Sequence, residues 1–398
     1  MKDDSGDRPT NAKEVLVEMK DISELMLDLA YSAVIFGDAE IADEVMKLEE
    51  EMDDLLYRAR ISIMLGARSV DDANKLSGVL QIASAAEKIS NAAADIAKLV
   101  LVDSRTSNRL KHDIQSADET ITSVKVYEGS KLDSRTLGDL QLETETGMRV
   151  IAIKRGHKWI YAPERDTVIF EGDILLARGP PEGIQDIREL AGCKPGVREE
   201  KVISTSKKLN AAISLIIEMK DLSELIVGLA YSAVLFYSNM LASEVKILEE
   251  KMDEMLLCLE TTVLEAAKEV EDISEIQGII PIGISTEIIS DAAYEIADIV
   301  LREIELHPVF MLAIRESDEV VSKVDLRSGV LNSDGKPLDI ATVEDETGMY
   351  VMAVRRGNDR WIYDPDPDLR LKGGEALIVR GTRSGEERLI KLWGIEPE

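Results

Sequence analysis

The sequence predicts an α+β multidomain protein: two antiparallel three-helix bundles, each followed by a small α+β domain. Three observations carry this. The chain repeats itself at an offset near 200 residues, so that Glu18–Val34 (EMKDISELMLDLAYSAV) matches Glu218–Val234 (EMKDLSELIVGLAYSAV) at 13 of 17 positions. Within each copy, long stretches with apolar residues at three- and four-residue spacing give way to short runs rich in Val and Ile. Hydrophobic residues make up 45% of the chain but aromatics only 4%, so Ala, Ile, Leu and Val fill the core, which favours long helices with modest sheet. A length of 398 residues suits about two to four domains. The period is too long for a solenoid.

Residues 12–37, 39–66 and 69–102 predict the three helices of the first copy. Strands follow at 121–126, 149–154, 158–161 and 173–178, with Gly147, Gly156, Pro163, Gly172 and Gly179 as turn signals. Short helices are expected near 135–140 and 181–191, and residues 195–208 link the copies. The second copy repeats the pattern: Glu346–Met349 (ETGM) answers Glu145–Met148, and Trp361-Ile362-Tyr363 answers Trp159-Ile160-Tyr161. The expected domains are 12–113, 114–196, 209–313 and 314–398. Pro281 and Gly283 stand in the third helical stretch where the first copy has Gln81 and Ala83, which predicts a kink or break.

Leu225–Ser243 contains no charged residue, close to the ~20 residues that span a bilayer. Its polar Tyr231, Ser232 and Asn239, and the charged Asp28, Asp38 and Glu40 of its counterpart, favour a buried bundle helix. The net charge of −30 repels nucleic acid and anionic lipid and suits cations or basic proteins. Cys193 and Cys258 make neither a disulfide framework nor a zinc site, and the polar N-terminus lacks an apolar signal core, so a reducing cytoplasm is expected. No P-loop, Gly-x-Gly-x-x-Gly or Gly-x-Ser-x-Gly is present, and His112, His157 and His307 are scattered, which leaves little sign of an enzyme.

The acids are the main chemical signal. Residues 48–54 read LEEEMDD and 248–254 read LEEKMDE. At about 100° per residue, Glu50 and Asp54 point away from the apolar stripe, whereas Glu49 and Asp53 flank it, as do Glu249 and Asp253. The third helical stretch of the second copy adds Glu287, Asp291 and Glu295 at four-residue spacing, where like charges repel by a few tenths of a kcal/mol (about 0.2–0.5) per pair. A divalent or iron-type cation would relieve this repulsion. The first copy has Glu87, Asn91 and Asp95, so its middle carboxylate is an amide. A plain solvated acidic face is the alternative. In the α+β domains, strands at 150–153 and 351–354 end in Lys154-Arg155-Gly156 and Arg355-Arg356-Gly357. Two cations before a glycine suit either an anionic ligand or a charged turn.

With these residues in view, the helical parts resemble the PhoU family, whose Glu/Asp-x-x-x-Asp motifs correspond here to Glu49–Asp53, Glu249–Asp253 and Glu287–Asp291; Glu87–Asn91 departs from the motif. The resemblance implies multinuclear metal clusters on these acids. The α+β parts resemble the TrkA C-terminal (RCK C-terminal) domain, through the apolar strand ending in basic residues and the strand starts Gly172-Asp173-Ile174-Leu175 and Gly374-Glu375-Ala376-Leu377. This resemblance implies pairing, as a homodimer or between the two copies of one chain. It also implies a small anionic effector, a cyclic dinucleotide in some relatives, with Arg155, Arg355 and Arg356 as the residues that would receive it. NAD or ATP binding is not implied. Together the resemblances imply a cytoplasmic, non-enzymatic regulatory subunit of a membrane cation transporter or channel, with potassium the leading cation, held at the membrane through that partner and not inserted itself. The alternative is a metal-binding adaptor in phosphate transport regulation.

Overall fold

The computed structural model describes residues 12–102, 120–193, 207–310, 312 and 320–394, apart from 157, 162, 164, 180–182, 271–272, 274–275, 332–334, 336, 357–359 and 364. Of the expected linker 195–208, residues 195–206 lie outside the described residues, as do two of the three histidines, His112 and His157, while Lys207 and Lys208 already belong to a helix. The chain forms two compact units. One gathers residues 1–113 and 204–317, and the other gathers 114–203 and 318–398. The helical halves of both copies therefore share one unit, and the sheet halves share the other.

In the helical unit, α1 (Ala12–Phe36), α2 (Ala39–Gly66) and α3 (Val70–Val102) pack on one another, as do α7 (Lys207–Leu235), α8 (Asn239–Ala266) and α9 (Ile279–Leu301) of the second copy. The two bundles meet where α3 lies along α9. Apolar side chains at helical spacing line each interior, such as Val45, Met52, Leu55 and Ala59 on α2 and Val245, Met252, Leu259 and Val263 on α8. The turns between the first two helices of each copy are capped alike: Asp38 accepts from the backbone N–H of Glu40 and Ile41, and Ser238 from that of Leu241. Gly37 (φ 56°) takes the left-handed turn freely, whereas Tyr237 (φ 47°) holds the same position at a cost of about 1–2 kcal/mol.

That turn cuts the charge-free stretch 225–243 in two, so it is not one helix but the end of α7 and the start of α8. No helix among the described residues is long and apolar enough to cross a membrane. Pro281 marks a break and not a kink: the third helix of the second copy starts only at Ile279, where that of the first starts at Val70. α9 begins at Ile279, which places the proline in the first turn, where its missing N–H would have had no intrahelical partner. Gly283 then lets α9 lie close on α8, because a Cβ there would collide with Leu259. Across the bundles, the Tyr31 hydroxyl of α1 and Thr286 Oγ1 of α9 are 2.8 Å apart, fully buried.

In the sheet unit, the first copy contributes β1 (Thr120–Lys125), β2 (Arg135–Thr136), α4 (Leu137–Leu140), α5 (Leu142–Thr146), β3 (Arg149–Arg155), β4 (Lys158–Tyr161), β5 (Val168–Ile169), β6 (Ile174–Gly179) and α6 (Gly183–Leu190). The second contributes β7 (Val320–Asp325), α10 (Ile340–Thr347), β8 (Tyr350–Arg356), β9 (Arg360–Tyr363), β10 (Ala376–Gly381) and α11 (Arg383–Leu392). The sheets are antiparallel with matching orders, β1-β6-β3-β4 and β7-β10-β8-β9, and β2 pairs with β5. Each sheet has its own core, around Val124, Leu132, Met148, Ile153 and Leu175 in one and Leu326, Leu338, Met349, Val354 and Leu377 in the other. α5 of one copy packs on α10 of the other, and the contact is tight enough that a Cβ on Gly348 would sit 2.7 Å from Glu143 Cγ.

Candidate functional site

The inward packing of Val245, Met252 and Leu259 leaves Glu249 and Asp253 on the flank of α8 that faces α9. From α9, Ile289, Ala292, Ala293 and Ile296 enter the core and leave Glu287 and Asp291 facing back. Carboxylate oxygens of Glu249, Asp253 and Asp291 lie within 4.8 Å of one another. Glu287, one turn before Asp291, lies close enough to feel the charges of Asp253 and Asp291. Crowding of this kind disfavours charge. The carboxyl of Glu249 is pushed up to about 7 by burial first, then by Asp253 and Asp291. That of Glu287 is pushed up to about 7 by burial, then by Asp291 and Asp253, and Asp291 is raised as well, chiefly by burial.

Of the seven acids that the sequence marks as metal ligands, the structure gathers three, Glu249, Asp253 and Asp291, with Glu287 beside them. Glu295 is engaged by Lys88 of α3, which reaches its carboxylate at 2.6 Å, and both charges are felt at Asp291. Glu49 and Asp53 of the first copy face a different setting. Asn91 turns its amide to Glu87 at 2.8 Å, and Lys98 bonds Asp95 at 2.9 Å. The carboxyl of Glu49 is raised by burial and Asp53, while Lys98 pulls it down. Lys98 already supplies a cation there. The sequence carried a signal for this that motif reading passed over: Asp298 is the repeat partner of Lys98. The α8–α9 cluster fits a hard cation, because the gathered donors are all carboxylate oxygens, with no sulfur or imidazole among them. Glu249, Asp253 and Asp291 would hold the ion, with Glu287 beside them, and the ion would supply charge neutralisation.

The three arginines are all engaged. Arg155 donates from Nε (2.9 Å) and Nη2 (2.8 Å) to Asp173 and from Nη2 to the Val168 carbonyl (2.6 Å), with its guanidinium 4.6 Å from the Phe170 ring centre. Arg356 repeats the device, donating to Glu375 at 2.8 Å and to the Arg370 carbonyl. Arg355 reaches Asp325 at 3.3 Å and lies over the Trp361 ring. The acid after the Gly172 or Gly374 turn is thus the partner of the arginine at the end of the neighbouring strand, a link that sequence reading did not make.

The TrkA-C domain model matches residues 121–192 and again 332–394, and the PhoU domain model matches residues 16–100. The chain carries a PhoU domain and two TrkA-C domains. Arg155, Arg355 and Arg356 fall within the TrkA-C domains, and Glu49 and Asp53 within the PhoU domain. The α8–α9 acids belong to the second, repeated bundle.

Curated relatives include an uncharacterised transporter of Synechocystis sp., 28% identical over 130 residues (32% of this chain, 21% of that protein). Potassium channel protein 1 of Methanocaldococcus jannaschii is 35% identical over 63 residues (16% and 19%). Ktr system potassium uptake protein C of Bacillus subtilis is 32% identical over 94 residues (24% and 42%). This chain therefore spans less than half the length of each of these relatives. Among solved structures, PhoU from Pseudomonas aeruginosa aligns at a TM-score of 0.40 with 14% identity, over 73% of this chain and 96% of that one. The GsuK RCK domain aligns at 0.18 with 12% identity, over 77% and 78%. At these scores neither likeness adds to the elements described above.

Proposed function

We propose that this chain is a regulatory subunit of a membrane cation transporter or channel, with potassium as the cation, acting from the cytoplasmic side and not as an enzyme. The observation that supports this most is the pair of TrkA-C domains, together with relatives named as potassium uptake and potassium channel proteins. In this reading the TrkA-C domains take a small anionic effector such as a cyclic dinucleotide, and the bundles pass the bound state to the membrane partner. Calorimetry of the full chain with cyclic di-AMP, mononucleotides and inorganic phosphate tests the effector. Arg355→Ala is the informative variant, because Arg155 and Arg356 also hold nearly buried acids. Heat from none of these ligands overturns the effector reading. Failure of the full chain to alter potassium uptake by cells expressing a Ktr-type transporter overturns the transport reading.

A second reading, a metal-binding adaptor in phosphate transport regulation, is favoured by the α8–α9 carboxylates. It expects a cation retained after reconstitution with manganese or iron and lost from Glu287→Gln/Asp291→Asn. Elemental analysis showing no metal in the reconstituted wild type overturns it.

A further inference from the structure

The solvent-facing side of α2 changes character along its length. Seen down the helix axis, Glu50, Asp54, Tyr57 and Ile61 fall on one line opposite the buried stripe, with Met64 and Leu65 closing it. The first two are exposed acids. The last four are apolar and sit where a bundle helix is expected to be polar: Tyr57, Met64 and Leu65 are 62%, 67% and 80% exposed. The repeat shows the same change more weakly on α8, where Glu250 and Glu254 are followed by exposed Leu257 and Leu264. Isolated exposed leucines need no explanation, but four apolar residues along the outer side of one helix, bordered by Arg58 and Arg60, are a docking signal.

We propose that this ridge of α2, from Glu50 to Leu65, docks a basic amphipathic helix of a partner protein. The surface chooses among occupants by charge. An anionic membrane would take the apolar end but is repelled by Glu50 and Asp54, and by a net charge of −30. A second copy of this chain fits poorly: side by side its acids meet acids, and head to tail its acids cover the partner's apolar end. A helix with lysines or arginines in one half and apolar residues in the other satisfies both ends at once. From Glu50 to Leu65 the ridge runs ~23 Å, which such a helix covers with about 16 residues. The proposal goes beyond the transport reading and needs neither the acid cluster nor an effector.

The test is fluorescence anisotropy on the full chain with a labelled, helix-forming Leu/Lys amphipathic peptide of about 16 residues, at about 0.1 M salt, where charges still reach ~10 Å. Wild type is expected to bind it. Tyr57→Ser/Ile61→Ser/Leu65→Ser and, separately, Glu50→Lys/Asp54→Lys are each expected to weaken binding about tenfold or more, a difference of at least ~1.4 kcal/mol. These side chains are exposed, and unchanged circular dichroism and melting show that the variants fold. Asp186→Lys/Glu189→Lys, a reversal of two exposed acids on α6, is expected to leave binding unchanged. The proposal fails if the Leu/Glu version of the peptide binds equally well, or if the α2 variants bind like wild type. It also fails if the serine variant instead abolishes self-association in sedimentation, or abolishes binding to phosphatidylglycerol vesicles, since the occupant is then a second copy or a membrane.

Discussion

Lys20 of α1 holds its ammonium 5.5 Å from the ring centre of Tyr231 on α7, and Lys220 of α7 returns the contact over Tyr31 at 5.8 Å. Each lysine is nearly buried and is paired with a glutamate one turn on, Glu24 at 2.7 Å and Glu224 at 2.8 Å. Each copy thus places a cation on an aromatic face of the other, at the centre of the helical unit. Lys220→Met leaves Glu224 buried without its cation, and the expected loss is about 3–5 kcal/mol in urea unfolding. Lys220→Met/Glu224→Leu should recover most of that loss, because an apolar pair of similar volume carries no desolvation penalty.

The acid cluster makes stability depend on pH in a definite direction. Without a cation, Glu249 and Glu287 titrate near about 7 in the folded chain against a reference value of 4.5. The folded form therefore holds protons that the unfolded form has released. The stability this represents is fully present below 4.5 and is lost as pH rises through about 7. The melting temperature should fall from about pH 4.5 to about pH 7 and level off above that. The fall should shrink in Glu249→Gln/Glu287→Gln, and millimolar manganese at the higher pH should reverse it in wild type only. Differential scanning fluorimetry checks all three outcomes.

The arginine clasps predict an asymmetric pair of mutants. Asp173 is buried and accepts from Arg155 and from the Phe170 N–H. Asp173→Ala leaves both donors without their acceptor and is expected to cost about 3 kcal/mol. Arg155→Lys keeps the charge but loses the two-pronged donation, so it should recover only part of the wild-type protection when hydrogen exchange is followed in β3 and β6.

Gly348 and Gly129 share a φ of +70° but not their surroundings. A Cβ at Gly129 meets nothing within 4 Å, whereas at Gly348 it meets Glu143 of the other copy at 2.7 Å. Gly129→Ala should cost about 1–2 kcal/mol from the backbone alone. Gly348→Ala should cost clearly more in the same denaturation experiment, because it also pushes α5 away from α10.

Much of this architecture could be read from the chain because helix and strand periods are local. The second helix, 39–66, and the strand 158–161 agree with the structure at both ends, the other long helices and main strands of the first copy lie within a residue at either end, and the short helices expected at 135–140 and 181–191 begin two residues later. The short α5 and the β2–β5 pair were missed, since four or five residues are too few to set a period. The grouping of the copies was also out of reach. Nothing in a repeat says whether its halves pack with their neighbours in sequence or with their counterparts 200 residues away. For the acids, helix geometry put Glu49–Asp53 and Glu249–Asp253 on the flank of the apolar stripe, because flank position depends only on spacing, whereas Glu287, Asp291 and Glu295 stood out only as a ladder at four-residue spacing. It could not see Lys88 reaching Glu295, because that contact crosses from α3 to α9. The arginines were legible as cations at a strand end. Their partners, Asp173 and Glu375, are supplied by the strand pairing.

Asn91 and Lys98 in one copy stand against Asp291 and Asp298 in the other. Two separate, identical subunits would share every substitution. Tethered copies can drift apart, one tuned and one silenced, while their ratio stays fixed at any protein concentration. For a cation, the consequence is that the two bundles of one chain are not equivalent sites.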